Sequence, residues 1–481
     1  MIFNSIEFAI FVPIVFGLYW AVPKNRVKTQ NALLLLASYI FYGWWDWRFL
    51  SLIAFSSFLD YSIGLKLANT TGEQTRKIWL LTSLLINLGF LGCFKYFDFF
   101  AESLAEAFTL LGKPINPTQL GIILPIGISF YTFQTLSYSI DVYRRQLKPT
   151  KDIIEFFSFV SFFPQLVSGP IERATHLLPQ FQKKRSFDYA QAVDGMRQIL
   201  WGLFKKIVIA DNSAVYANDI FSNYTDYSGS TLLLGAIFFT FQIYGDFSGY
   251  SDIAIGTARL FGFDLKQNFA FPYFSQDIAE FWRRWHISLS TWFRDYVYIP
   301  LGGSRGSLWM KTRNTFIIFL ISGLWHGANW TFVIWGLIHA CYFLPLILLK
   351  QNRRNIKTIA AGKVWPNINE FLSMGLTFSA TVLAWIFFRA ETVSQAVAYV
   401  LGMFTTSLLS LPEVLSIKIC LIAGIIIIFL MIEWVQREKR HALQLNSKDI
   451  PKPARWALYW GIVLCIIWLG GNQQNFIYFQ F

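Results

Sequence analysis

One histidine of this 481-residue chain, His326, lies in the run Gly323-Leu324-Trp325-His326-Gly327-Ala328-Asn329-Trp330. Between Phe316 and Leu349 the only other ionisable side chains are His339 and the weakly acidic Cys341 and Tyr342. A titratable group in so long an apolar stretch is costly and marks a functional position. Imidazole is the side chain best matched to moving protons near neutral pH. Desolvation biases it toward its neutral form. The structural alternative is a hydrogen bond between helices. Glycines on both sides open the backbone around His326 and favour chemistry. His339 sits deeper in an ordinary helical stretch, where the structural role is favoured.

A second histidine, His286, lies within Phe281–Tyr296. Trp282, Trp285, Leu289, Trp292, Phe293 and Tyr296 recur there at helical spacing on one face, with Arg283, Arg284, Arg294 and Asp295 off it. An interfacial amphipathic helix explains the tryptophans and arginines. It does not explain His286, and the residues alone leave structural and functional roles equally open. His176 and His441 fall in basic loops and read as solvated. Gly302-Gly303-Ser304-Arg305-Gly306 matches G-x-S-x-G but lacks the strand-to-helix context that a nucleophile elbow needs. No Walker loop, HExxH or dinucleotide fingerprint occurs. Cys93, Cys341, Cys420 and Cys465 are far apart, without metal-like spacing, and read as buried small hydrophobes. No metal site is expected.

The elements that must position these histidines are membrane helices. The chain is 54% apolar and only 14% charged, against roughly a quarter charged in soluble domains. Its net charge of +13 comes from short basic loops between apolar segments, the signature of cytoplasmic loops. Nucleic-acid binding is therefore not expected. These loops are Lys24–Lys28, Arg76–Lys77, Arg144–Lys151, Lys183–Arg185, Arg305–Arg313, Lys350–Lys363 and Arg437–Arg455. Asp98–Glu106 and Asp211–Asp226 form the opposite, acidic loops. Spans are predicted near 6–22, 31–47, 49–68, 78–94 and 120–142, then 199–217, one from about 231, and 371–389, 415–434 and 456–472. The first lacks a basic n-region and a cleavage site and reads as a retained span with its N-terminus outside. The run 153–167 has basic flanks on both sides and ends in Phe163-Pro164-Gln165-Leu166-Val167-Ser168-Gly169-Pro170, so it is predicted to dip in and return. The stretch 316–349 is long enough for two short crossings, with His326 at the break between Gly323 and Gly327. Gln242, Asp246 and Asp252 should face the protein interior. The fold expected is an all-α integral membrane bundle of roughly ten to twelve spans, forming one domain over 1–481.

Taken in order, several short motifs resemble the membrane-bound O-acyltransferases, closest to the bacterial alginate O-acetyltransferase branch. They are Met1–Ser5 with Leu18-Tyr19-Trp20, Ser38–Trp44, Leu124–Gln134, Phe163-Pro164-Gln165 with Ser168–Ile171, Tyr244–Asp252, Trp282–Ser290, Trp325-His326-Gly327 and Phe476–Phe481. The resemblance implies that His326 is the catalytic histidine and that His286 occupies the second signature position. It implies a helical bundle, thin at its centre, with catalysis in a tunnel joining the two faces. Substrate-contacting or tunnel-lining positions are expected at Gln134, Ser168, Gln242, Asp246, Trp285, Ser290, Trp325 and Asn329.

The activity implied is transfer of an acyl group, most naturally acetyl, from a cytoplasmic thioester across the bacterial inner membrane. It would serve O-acetylation of an exported polysaccharide such as alginate. Acetyl-CoA is the expected donor, with a carrier-protein thioester as the alternative, and no bound cofactor is expected. His286 would orient the acceptor or steady the oxyanion. A periplasmic acetyltransferase of the serine-hydrolase (SGNH) type is the expected partner, beside the polysaccharide acceptor and membrane lipid. Alginate, another exopolysaccharide, peptidoglycan and teichoic acid all remain as acceptors. A transporter or flippase, or a non-catalytic export scaffold, would fit the intramembrane polar groups too.

Overall fold

The apolar helices carry large side chains on both faces. Helix α1 (Ile6–Ala21) buries Phe8, Phe11, Val15 and Tyr19 yet exposes Ile6, Ile10, Ile14 and Leu18. In water such a row would be an unmet apolar patch, whereas lipid tails satisfy it. A computed structural model describes every residue except Ser168, 446–449, 471–472 and 478–481. Among the described residues there is no β-strand, as the all-α expectation requires. Six helices there are long and apolar enough to cross a bilayer: Trp47–Asn69, Glu73–Leu110, Gly229–Leu260, Trp330–Leu348, Ile368–Arg389 and Ile417–Val435. The chain is thus a multi-pass membrane protein.

Two compact units are distinguished. The first comprises Met1–Ala192 and Thr257–Lys266, the second Val193–Gly256 and Gln267–Phe481. After α1, the first unit contains α2 (Val27–Gly43), α3 (Leu50–Asn69), α4 (Glu73–Leu91), α5 (Phe97–Leu110), α6 (Ile128–Tyr143), α7 (Ile153–Ser161), α8 (Phe163–Leu166) and α9 (Ala174–Gln182). Its polar centre is Asp60 of α3, which accepts from Ser83 (2.5 Å) and Asn87 (2.8 Å) on α4 and from Ser139 (2.7 Å) on α6. Three helices are tied by one fully buried carboxylate.

Three expectations are corrected here. The span over 120–142 begins only at Ile128, because Gly127 has φ +76° and Leu166 packs its carbonyl where a Cβ would stand. The acidic segment 98–106 is helical, not a loop. Asp98, Glu102 and Glu106 share one face of α5, and Asp98 accepts the amides of Leu120 (2.7 Å) and Gly121 (3.1 Å). His176 is half-buried rather than solvated and bonds Glu172 at 2.8 Å; that partner holds its pKa above the usual histidine value. The run 153–167 does break, at Phe162, and nine residues of α7 reach only about 13 Å.

From α10 (Tyr189–Phe204) the chain passes through a π-helical stretch, Lys205–Ala210, into α11 (Asp211–Ser222) and α12 (Gly229–Leu260). Then follow α13 (Ile278–Arg284), α14 (Ile287–Phe293), α15 (Leu308–His326), α16 (Trp330–Leu348), α17 (Ile368–Arg389), α18 (Val393–Met403), α19 (Ile417–Val435) and α20 (Lys452–Leu469). The helix expected over 281–296 is broken at Trp285-His286, and α15 starts eight residues before the predicted crossing, capped by Ser307 onto Met310. His441 is buried against Asp194 at 3.1 Å, not solvated. The cysteines are free, and Cys93, Cys341 and Cys420 lie exposed on outer faces instead of in the core.

The α15–α16 hairpin carries His326, and glycines set its spacing. A Cβ at Gly323 would overlap the Phe332 carbonyl, and one at Gly336 the Phe319 carbonyl. Gly323 therefore serves helix approach rather than helix breaking; the break falls at Gly327, against the Phe332 ring. Replacing Gly336 with valine is expected to force the pair apart and destabilise the protein by about 1–3 kcal/mol. An unchanged thermal transition of the detergent-solubilised variant would contradict this packing.

Candidate active site

His326 is the last residue of α15, held where Gly327 turns extended and Asn329 caps α16 by accepting the Thr331 amide at 2.9 Å. Its ring lies 5.0 Å from Trp325, 5.0 Å from Trp335 and 5.3 Å from Phe388, centroid to centroid. His286 lies at the α13–α14 junction, with φ +44° and ψ +53°. A residue with a Cβ adopts that left-handed region only when its surroundings impose it. The two imidazoles are 6.4 Å apart, centroid to centroid, and both are buried. The structure thus brings together two histidines forty positions apart in sequence, on two chain breaks of the second unit.

His286 is fully buried. Its Nδ1 lies 3.1 Å from Asn268 Oδ1, and its ring meets Phe247 edge to face at 4.6 Å. Burial pushes its pKa down to about 3, so the ring is neutral at pH 7. His339 packs on the other side of the shared Trp335 ring, 4.8 Å away, and accepts the Trp282 indole N–H at 3.3 Å, which matches its expected structural role.

A cavity of about 1060 Å³ opens between the helices that carry the pair, although neither histidine lines it. Its inner wall includes Ser322, one helical turn before His326, Ser290, one turn after His286, and the apolar rings of Trp282 and Phe319. Arg283, Arg294, Lys311, Lys350 and Arg353 also line it, and among the described residues no carboxylate does. Arg294 is met by Asp295 at 2.6 Å; Arg283 donates to the Asn352 and Asn355 carbonyls at 3.0 and 2.6 Å. An apolar sleeve with a cationic lining suits a ligand with a neutral arm and a polyanionic head.

The remaining predicted positions divide. Ser290 lines the cavity, and Trp325 packs on both histidines, 5.9 Å from His286. Trp285 points into an aromatic core formed by Phe269, Phe281 and Trp385. Asn329 is committed to its cap and to the Glu391 carbonyl, 2.8 Å away. Gln242 is buried, its Oε1 without a partner among the described residues. Gln134 belongs to the first unit, where it donates to the Phe159 carbonyl at 2.7 Å. Ser168 lies outside the described residues.

Asp246 belongs to a buried ion cluster that sequence reasoning missed. Lys206 pairs with Asp211 at 2.7 Å and Asp246 at 2.8 Å and donates to the Gln474 carbonyl at 3.0 Å. Asp246 also accepts the Ile477 amide at 2.7 Å. Beside it, Lys205 pairs with Asp252 at 2.5 Å, and Tyr244 donates to Glu433 at 2.9 Å. The signal was present, since Lys205-Lys206 interrupts an apolar run. Of the C-terminal motif, Phe476 and Ile477 are buried, and Tyr478–Phe481 lie outside the described residues.

A family model described as MBOAT, membrane-bound O-acyltransferase family, matches residues 39–388. The chain is 42% identical to a probable alginate O-acetylase AlgI of Pseudomonas aeruginosa, over 86% of this chain and 76% of that protein. It is 34% identical to a peptidoglycan O-acetyltransferase of Helicobacter pylori, over 100% of this chain and 98% of that one. A teichoic acid D-alanyltransferase of Bacillus subtilis is 28% identical over 58% of this chain and 72% of its own. The matched segment takes in both histidines and most of the long apolar helices, and so this membrane acyltransferase belongs to the membrane-bound O-acyltransferase family.

Proposed function

We propose that the whole chain acts as one acyltransferase domain of the bacterial inner membrane, moving an acetyl group from a cytoplasmic thioester to a hydroxyl for O-acetylation of an exported polysaccharide. The observation that carries this is the pair of buried histidines, 6.4 Å apart, on helices whose neighbouring turns line a cationic cavity. In the step envisaged, the acceptor oxygen attacks the thioester carbonyl and His326 takes the hydroxyl proton. The C–S bond then breaks, and the departing thiolate receives that proton, so the histidine returns to its starting state. The net reaction releases no proton and needs no redox partner. Rings closing on His326 from three sides favour a short acyl group.

Relatives named for alginate and for peptidoglycan make a polymer outside the cytoplasmic face the acceptor of choice. A periplasmic acetyltransferase of the serine-hydrolase type is proposed to carry the acyl group onward. The purified protein should release free CoA from acetyl-CoA when a hydroxyl acceptor or that partner is added. Substrate transport without thioester consumption would instead make it a transporter.

The cationic lining of the cavity supports free acetyl-CoA as the donor, with a carrier-protein thioester as the alternative. Its cationic side chains would meet the phosphates while the sleeve takes the pantetheine arm. Reversing two charges, Lys311→Glu with Arg353→Glu, is expected to raise KM for acetyl-CoA at least about tenfold, roughly 1.4 kcal/mol of lost attraction. A phosphate-free acetyl thioester such as S-acetyl-N-acetylcysteamine should turn over as in the unmodified protein. An unchanged KM for acetyl-CoA would remove the cavity from donor binding.

A further inference from the structure

Asn268 is fully buried and holds the His286 turn by several bonds. Its backbone carbonyl accepts the Ile287 amide at 2.9 Å. Its Oδ1 accepts the Ser288 amide at 3.3 Å and the Ser288 hydroxyl at 2.8 Å, and its Nδ2 donates to Ser251 of α12 at 3.1 Å. A backbone N–H can only donate, so the side-chain atom facing Ser288 is the oxygen and not the nitrogen of the amide. An amide oxygen has no proton to give. The His286 Nδ1, 3.1 Å from that same oxygen, therefore carries the ring proton. A neutral imidazole has one N–H, so Nε2 bears a lone pair. Nε2 is buried and has no hydrogen-bond partner among the described residues.

We propose that Asn268 is a positioning residue that locks His286 in its Nδ1-protonated tautomer, so that Nε2 accepts a hydrogen bond from bound substrate. The lone pair would repel a developing oxyanion, so His286 does not steady that charge. It orients the acceptor by taking a hydrogen bond from a hydroxyl beside the attacking one, whose own proton goes to His326. The consequence for catalysis rests on the acyl-transfer reading above; the tautomer does not.

Magic-angle-spinning NMR of the full chain in lipid, labelled with ¹⁵N-histidine, reads the tautomer directly. The chain has five histidines, and loss of one signal set in His286→Gln identifies the residue. His286 is expected to show a protonated Nδ1 and a bare Nε2. In Asn268→Leu that preference should be lost, and CoA release from acetyl-CoA with an alginate oligosaccharide as probe acceptor should fall by roughly 10²-fold. Asn268→Asp keeps the accepting oxygen and should retain the tautomer with at least about a tenth of the release. A protonated Nε2 in the unmodified protein overturns the proposal. So does full release by Asn268→Leu, or loss of the tautomer in folded Asn268→Asp. An unmodified protein with the expected tautomer but no CoA release would sink the acyl-transfer reading and leave the tautomer standing.

Discussion

Replacing His326 with alanine leaves a folded, membrane-inserted protein whose acyl transfer falls by about 10²–10⁴-fold, the usual contribution of a positioned general base. The size of the effect follows from the surroundings of the ring. Trp325, Trp335 and Phe388 enclose it at 5.0 to 5.3 Å, centroid to centroid, and exclude the bulk water that could otherwise take the proton. The neighbouring imidazole of His286, 6.4 Å away, is anchored to Asn268 and not free to move into the gap, and that of His339 is held by the Trp282 indole. The hairpin should survive, because Gly323, Gly336 and the Asn329 cap hold it without the imidazole. Base-released acetate from the exported polymer, set against protein abundance in the membrane, measures the outcome. Normal acetylation at normal abundance would remove His326 from the chemistry and favour a scaffold.

Lys206→Met has the largest expected effect on stability. Lys206 is the shared cation of Asp211 and Asp246, and all three are buried. Its loss strands two neighbouring carboxylates away from water, at about 3–5 kcal/mol for a broken buried pair. The damage should reach the site. Asp246 accepts the Ile477 amide, and the Phe476 ring packs 4.2 Å from Tyr250 and 6.1 Å from Phe247, the ring that supports His286. A large drop in melting temperature in detergent is expected, partly restored when Asp246→Asn is added, since the two sites share one network. A melting temperature equal to that of the unmodified protein would show that the cluster contributes nothing.

The long helices were legible because a bilayer demands runs of about twenty apolar residues, and composition records such runs directly. Helices α2, α3, α17 and α19 fall within a few residues of their predicted bounds. Short elements were not legible. Trp282, Trp285, Leu289 and Trp292 keep helical spacing across a chain that turns at His286. Both segments bury their tryptophans, so the pattern of burial continues where the helix does not. Acidic residues misled in α5, where three carboxylates on one helical face read as a loop. Gln134 and Asn329 were expected, on the family resemblance, to contact substrate or line the tunnel, yet both spend their hydrogen bonds on backbone.

The sequence by itself determined that this is an integral membrane protein, that His326 sits at a chain break in an apolar run, and which family it resembles. These are local properties, carried by composition, spacing and short motifs. Only the tertiary structure decided that His286 faces His326 and that Asn268, eighteen residues earlier in the chain, sets its tautomer. The tertiary structure also gathers Lys311, Lys350 and Arg353, which read as topology signals along the chain, around a single cavity. The physical reason is common to all three. Imidazole chemistry and anion binding depend on which polar atoms meet within a few ångströms, and helix packing brings those atoms together from positions that the linear pattern keeps apart.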